Sequence, residues 1–258
     1  MALQTKNDGW YVISLRPQGE HAALRRAAGH LGARLIALSP WRIRARTDDA
    51  TRDSLAKALS ADMVVFTSPA AVASAAELAP LRAADGQTWL AVGGGTASAL
   101  QRHGIEGVLY PQRMDSEGLL ALPALAQVDG RSIGFVSAPD GRNLLAPTLA
   151  ARGARLLRAD VYAREDVPLR AHALDAWQPP ASAFVLISSG GALDRVLDRL
   201  AYDARTRLLG ATAVVASDRL ARQASAAGFA RVLQAEGPRD GQLLRTAADA
   251  ASQGDPLA

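Results

Sequence analysis

The sequence predicts an α/β protein built around mostly parallel sheets, and three observations lead there. Short apolar runs alternate with helical patterns along the whole chain. The alternation repeats itself: "GEHAALRRAAGHLGARL" from Gly19 resembles "DGRNLLAPTLAARGARL" from Asp140, Gly32 falling on Gly153 at an offset of 121. At 258 residues, 49% hydrophobic and 21% charged, the chain is also ordinary for a globular protein. It is long enough for one large domain or two small ones, each with its own core.

The elements follow in order. "WYVISL" (10–15) is a short, mainly apolar run and reads as a strand. The segment 19–32 places Ala23, Leu24, Ala27, Ala28 and Leu31 at helical spacing and stops at Gly32. "RLIALSP" is the next strand, then "DMVVFTS" as strand and "PAAVASAAELA" as a helix that opens on a proline. "TWLAVG" is a strand, "GGTASALQRHG" a helix, "EGVLYP" a strand, and "SEGLLALPALA" a helix opened by Ser116. The second half keeps the rhythm, with "RSIGFVS", "ARLLRADVYAR", "AFVLISS", "TAVVAS" and "ARVLQA" as strands. Its helices are "GRNLLAPTLAARG", "GALDRVLDRLA", "DRLARQASAAG" and "DGQLLRTAADAA".

Two further blocks repeat in the same order. Phe66-Thr67-Ser68 falls on Ile187-Ser188-Ser189, again at 121, and "ASALQRHGIEGVL" falls on "ARQASAAGFARVL" with Gly104 on Gly228 at 124. The chain therefore holds two diverged copies of one α/β unit, and two such domains imply a cleft between them for a ligand.

Composition narrows the chemistry. With no cysteine there are no disulfides, no thiolate catalysis and no cysteine-ligated metal. The polar start "MALQTKNDGW" shows no signal peptide, and no run of 18 apolar residues suggests a membrane span, so the expected location is cytoplasmic. Net charge is +4 and arginine far outnumbers lysine. Arginine suits carboxylate and phosphate partners, but the charge forms no basic block, so no nucleic-acid partner is expected.

The candidate site lies at corners where a strand ends and a helix begins: "LRPQG", "FTSPAA", "AVGGGTAS", "VSAPDGR", "ISSGGA" and "VASDRL". Each offers small residues, hydroxyls and orphan N–H groups at a helix N-terminus, where dipole and donors favour negative charge. Taken singly, each corner reads first as plain helix capping. Six together, on two copies, point to a shared anionic ligand. No glycine is followed by lysine as a phosphate-binding P-loop needs, and Ser98 stands where a dinucleotide loop needs its third glycine. The four histidines (His21, His30, His103, His172) lack metal-ligand spacing. The expectation is a site with no metal and no cofactor, and no evident nucleophile with its base.

These motifs resemble the uroporphyrinogen-III synthase family, from about Trp10 to Ala248. The residues carrying the resemblance are Arg16-Pro17, "FTSPAAV", "AVGGGTASAL", "LYPQ" with "SEGLL", Gly141 to Ala154, "VYAR", "ISSGGAL" and "VVASDRLARQASAAGF". The resemblance implies two flavodoxin-like domains with parallel sheets, joined by a two-stranded connection, with the cleft between them. It puts the domains at 1–39 with 164–258 and at 42–161, a crossing that periodicity does not show. It implies a lyase that closes linear hydroxymethylbilane with loss of water and inversion of ring D, by way of a spiro intermediate. That substrate carries eight carboxylates, which the corners would hold.

By the same resemblance Tyr162 matches the family's tyrosine that helps the hydroxyl leave; its other reading is a tyrosine that packs at the connection. Thr96 matches the threonine of the glycine-rich corner, beside Gly93 and Gly94. The second-copy corner departs, placing Leu220 opposite Thr96, so a hydroxyl role there falls to Ser217. Arg16, Arg142 and Arg219 sit at corners where a guanidinium can pair with a carboxylate, Arg219 reading equally as a surface residue. Thr67, Ser68, Ser137, Ser188, Ser189 and Gly190 complete the substrate-binding candidates. A monomer is expected, with transient contact with hydroxymethylbilane synthase. The competing reading is a two-domain cytosolic binding protein or sensor for a small anionic ligand; the ends leave no room for a DNA-binding helix-turn-helix.

Overall fold

The computed structural model describes residues 9–113, 116–139, 145–178 and 181–253. In chain order its elements are β1 (Tyr11–Ser14), α1 (Ala22–His30), β2 (Arg34–Ala37), β3 (Trp41–Ala45), α2 (Asp49–Leu59), β4 (Met63–Phe66) and α3 (Pro69–Leu78). Next come β5 (Thr88–Ala91), α4 (Gly94–Arg102), α5 (Ser116–Leu120), β6 (Ser132–Ser137), α6 (Leu145–Ala151), β7 (Arg155–Asp160) and β8 (Tyr162–Asp166). The last are β9 (Ala183–Ile187), α7 (Gly190–Leu197), α8 (Tyr202–Leu209), β10 (Thr212–Val215), α9 (Asp218–Ala227), β11 (Val232–Gln234) and α10 (Asp240–Ser252). Among the described residues no helix is long and apolar enough to cross a membrane.

The chain divides into two compact units: unit 1 runs up to Arg42 and resumes at Asp166, and unit 2 is Ile43–Glu165. Strands β3 and β8 pair with each other as the connection. Unit 1 holds a sheet in the order β11-β10-β9-β1-β2, every pair parallel. Numbered within the unit this is 2-1-3-4-5, the flavodoxin-like order. Unit 2 holds β5-β4-β6-β7, also parallel, with Leu109 bridging Leu90 at its edge. Counted from β6 the order is again 2-1-3-4-5, the fifth strand reduced to a single bridge.

The internal repeat explains the permutation. β1, α1 and β2 fall on β6, α6 and β7 at 121, and β4 and α3 on β9 and α7, while β5 and α4 fall on β10 and α9 at 124. Each unit thus joins the opening βαβ of one copy to the later strands of the other. The equivalent helix-ending glycines also agree: Gly32, Gly153, Gly104 and Gly228 have φ of +76°, +84°, +81° and +105°. That left-handed conformation ends a helix at little cost only for glycine.

Both sheets carry a layer of apolar side chains on each face, as parallel strands require. In β4, Val64 and Phe66 join one core with Trp89 and Leu100, while Met63 and Val65 join the opposite one with Ile133 and Leu149. Phe66 stacks on Trp89 with centroids 5.5 Å apart. In unit 1, Val12, Phe184 and Val214 pack against Leu24 and Leu243 from α1 and α10.

Several expected elements are shorter. "EGVLYP" yields only the Leu109 bridge, because Gly107 turns the chain at φ +64° and Pro111 has no N–H to donate. The helix from Ser116 stops at Leu120, since Pro123 cannot donate to Leu119, and a 3-10 turn over Pro123–Leu125 follows. The run 154–164 splits at Val161 into β7 and β8, which join different sheets. Strand β3 and helices α2 and α8 were not expected.

Candidate functional site

In unit 1 the carboxyl ends of β1, β9 and β10 lie side by side. Arg16 and Pro17 leave β1, Ser188 and Ser189 leave β9, and Ser217 follows β10. Ser189 caps α7, its Oγ accepting from Ala192 N at 3.3 Å, and Ser217 caps α9, accepting from Leu220 N at 3.4 Å. Gly190 is buried against Gln223, whose Nε2 donates to Gly190 O at 3.2 Å. A Cβ on Gly190 would meet Gln223 Oε1 at 2.2 Å, so a side chain there would displace the Gln223 amide.

A pocket of about 140 Å³ opens here, lined among others by Ser14, Arg16, Trp41, Ser188, Ser189 and Asp240. Arg16 Nη2 donates to Asp240 Oδ1 at 2.5 Å. Behind Ser14 lies His21, Nδ1 3.1 Å from Ser14 Oγ and Nε2 2.7 Å from Ser39 Oγ. Burial, with Arg25 and Arg16 nearby, pushes the His21 imidazole below its usual pKa, so the neutral ring is favoured.

In unit 2 the ends of β5, β4 and β6 are likewise adjacent. Ser68 caps α3, its Oγ accepting from Ala71 N at 3.1 Å, and lies 3.1 Å from the Tyr162 hydroxyl. Arg164 Nη2 donates to that phenol oxygen at 3.4 Å, and the guanidinium sits 5.6 Å from the ring centroid. Tyr162 itself is 2% exposed and its ring packs in the unit 2 core. Thr67 donates from N and Oγ1 to Val136 O at 3.2 and 3.4 Å. Gly93 caps α4 without a side chain, Gly94 and Thr96 are buried in its first turn, and Gly95 lies against Pro69 of the neighbouring corner. At the end of β6, Ser137 Oγ donates to Asp160 Oδ1 at 3.0 Å, and Arg158 Nε holds the same oxygen at 2.9 Å.

The structure thus gathers Arg16, Ser188 and Ser189 around one pocket, and Thr67, Ser68 and Tyr162 at one corner with Gly93, Gly94 and Thr96 beside it. Ser217 stands one strand over from the pocket and does not line it. The Ser137 hydroxyl is engaged within its own unit. Arg142 lies outside the described residues. Sequence reasoning passed over Ser14, His21 and Asp240; their only local signals were a histidine just ahead of the first helix and an acid in the first turn of the last one.

These features define a class: an α/β protein of two flavodoxin-like units whose strand ends carry capped, hydroxyl-rich corners. The family model described as "Uroporphyrinogen-III synthase HemD" matches residues 22–245. The chain is 32% identical over 160 residues to the uroporphyrinogen-III synthase of Escherichia coli, covering 61% of this chain but 65% of that one, just under two thirds. It is 32% identical over 205 residues to that of Salmonella typhimurium, covering 75% and 81%. Among solved structures, a mutant uroporphyrinogen III synthase from Thermus thermophilus aligns at TM-score 0.64 with 19% identity, covering 96% of this chain and all of that one. The Helicobacter pylori structure aligns at 0.60 with 14% identity, covering 93% and 99%. At those identities the solved structures bear on the fold alone. The chain belongs to the uroporphyrinogen-III synthase family.

Proposed function

We propose that the chain closes linear hydroxymethylbilane, with loss of water and inversion of ring D, to uroporphyrinogen III in tetrapyrrole (haem) biosynthesis. The observation that carries this reading is the row of capped corners at the strand ends of both units, in a member of this family. Each capping serine accepts from an N–H of its helix through oxygen, which leaves the hydroxyl proton to donate to a carboxylate. First-turn N–H groups add further donors.

Departure of the hydroxyl draws on the electron-rich pyrrole, so the protein's task is mainly to hold a floppy chain in reacting geometry. Tyr162 assists the leaving oxygen. Arg164 donates to the phenol oxygen and the Ser68 hydroxyl lies within hydrogen-bond distance of it, which holds the phenol in place with an O–H that can turn to the substrate. Arg16, with Ser188 and Ser189, takes one carboxylate; Thr67, Ser68 and the Gly93–Thr96 corner take others, and Gly190, Ser137, Ser217 and Arg142 complete the substrate-binding set.

The same reading takes domains at 1–39 with 164–258 and at 42–161, and a cytoplasmic monomer that meets hydroxymethylbilane synthase transiently. The test is a coupled assay with that deaminase, followed by isomer analysis of the porphyrin. Enzyme-dependent type III product is expected. Type I alone, at the rate of the uncatalysed closure, would overturn the proposal.

A further inference from the structure

Arg16 does not stand open at its corner. Its guanidinium is already held by Asp240, 224 residues away in sequence, and both line the 140 Å³ pocket with Ser14, Ser188 and Ser189. The two side chains are 36% and 28% exposed, so the pair sits at the pocket mouth where a ligand can reach it.

The fold does not demand this pair. At the repeat offset of 121 the counterpart of Arg16 is Ser137, and at 124 the counterpart of Asp240 is Ser116. Unit 2 therefore carries a serine at each of the two equivalent positions. What unit 1 adds is a guanidinium whose fork fits a carboxylate, and an internal carboxylate that occupies it.

We propose that Asp240 is a placeholder carboxylate, held on Arg16 until a ligand carboxylate replaces it, and that it sets the selectivity of the unit 1 pocket. The physical basis is competition between tethered and free groups. Asp240 is fixed beside Arg16, so a lone small carboxylate competes against a high local concentration of its rival. A ligand anchored by several carboxylates brings its own at a comparable local concentration and exchanges readily. Asp240 thereby rejects abundant monocarboxylates while admitting a polycarboxylate, a repulsive element of specificity. The choice of a polycarboxylate as ligand rests on the proposed function; the exchange itself does not.

The experiment titrates acetate into the full chain, following the amide signals of Ser188 and Ser189, for the wild type, Asp240→Asn, Arg16→Gln and the double variant. Asp249→Asn, the same charge change on an exposed position of α10, is the control. Asp240→Asn should bind acetate about two- to fivefold more tightly, the range expected on releasing a partly exposed ion pair. The gain should vanish when Arg16→Gln is added, and Asp249→Asn should give none. No gain in Asp240→Asn, no acetate binding to either protein, or an equal gain in the Arg16→Gln background would overturn the proposal. A parallel titration uses uroporphyrin, the oxidised and unreactive octacarboxylate. If acetate behaves as expected but uroporphyrin does not bind the wild type, the substrate reading falls and the exchange on Arg16 stands.

Discussion

At Tyr162 a single hydroxyl separates a packing role from a chemical one. Tyr162→Phe keeps the buried ring and removes the hydroxyl's hydrogen bonds with Ser68 and Arg164. If the phenol assists the leaving oxygen, turnover should fall by about 10- to 1000-fold, spanning general-acid and oxyanion-type contributions. The product formed on the enzyme should stay type III, because the folding of the substrate is untouched. Isomer analysis at rising enzyme concentration decides: type I growing with enzyme would mean that Tyr162 shapes the substrate instead. His21 makes a second prediction at this scale. Its folded pKa lies below the ordinary 6.5, so between those two values the unfolded chain binds more protons. The stability that neutral His21 confers is complete above 6.5 and is lost as pH falls toward the folded value. Replacing His21 with Gln should flatten the acid side of a plot of melting temperature against pH; an unchanged slope would assign that loss to other groups. The serines at 68 and 189 were readable in sequence because a repeated corner marks them. His21 and Asp240 were not, since their partners Ser39 and Arg16 are set by tertiary packing.

At the scale of elements, the strands and helices of the repeat could be read because each carries a short apolar run or a helical stripe closed by glycine. Three elements were missed, for reasons visible in the chain. Strand β3, "WRIRA", alternates apolar and charged residues but belongs to the two-stranded connection rather than a core sheet. Helix α2 starts at Asp48, which accepts from Thr51 N at 2.9 Å, yet its apolar stripe is diluted by polar residues. Helix α8 buries Leu208 alone, which leaves almost no periodic signal. The packing of α2 on β6 supplies a test. A Cβ on Gly134 would stand 1.8 Å from Ala58 O, so the helix backbone rests directly on the strand. A side chain there cannot be absorbed by a rotamer change, because the obstacle is main chain. Gly134→Ala should destabilise unit 2 by about 3 kcal/mol, the upper part of the overpacking range. Chemical denaturation would report it, and a loss below about 0.5 kcal/mol, the scale of an ordinary surface substitution, would mean that α2 slides freely on the sheet.

At the scale of the whole molecule, sequence and structure divide the chain differently, and the difference is measurable. The copies seen in sequence lie end to end, the second opening at β6, whereas unit 2 is the middle of the chain and unit 1 its two ends. A fragment 1–129 would hold β1 and β2 without β9, and β4 and β5 without β6. Both half-sheets would expose a central strand edge and an uncovered apolar face. The fragment 130–258 is broken in the complementary way. By contrast, 43–165 carries a complete sheet with cores on both faces, in a size range where single domains fold alone. Its ends are also close, since Arg46 N donates to Val161 O at 2.9 Å and Arg44 pairs with Glu165 at 2.7 Å. The fragment 43–165 should therefore melt cooperatively, with α/β circular dichroism, while 1–129 and 130–258 should each be largely unfolded or aggregated alone. Mixing the latter two should recover native-like structure, because every strand then finds its neighbours. Cooperative melting of 1–129 by itself would show that the copy, not the unit, is the folding element, and the exchange of βαβ segments would then have to form after each copy had folded.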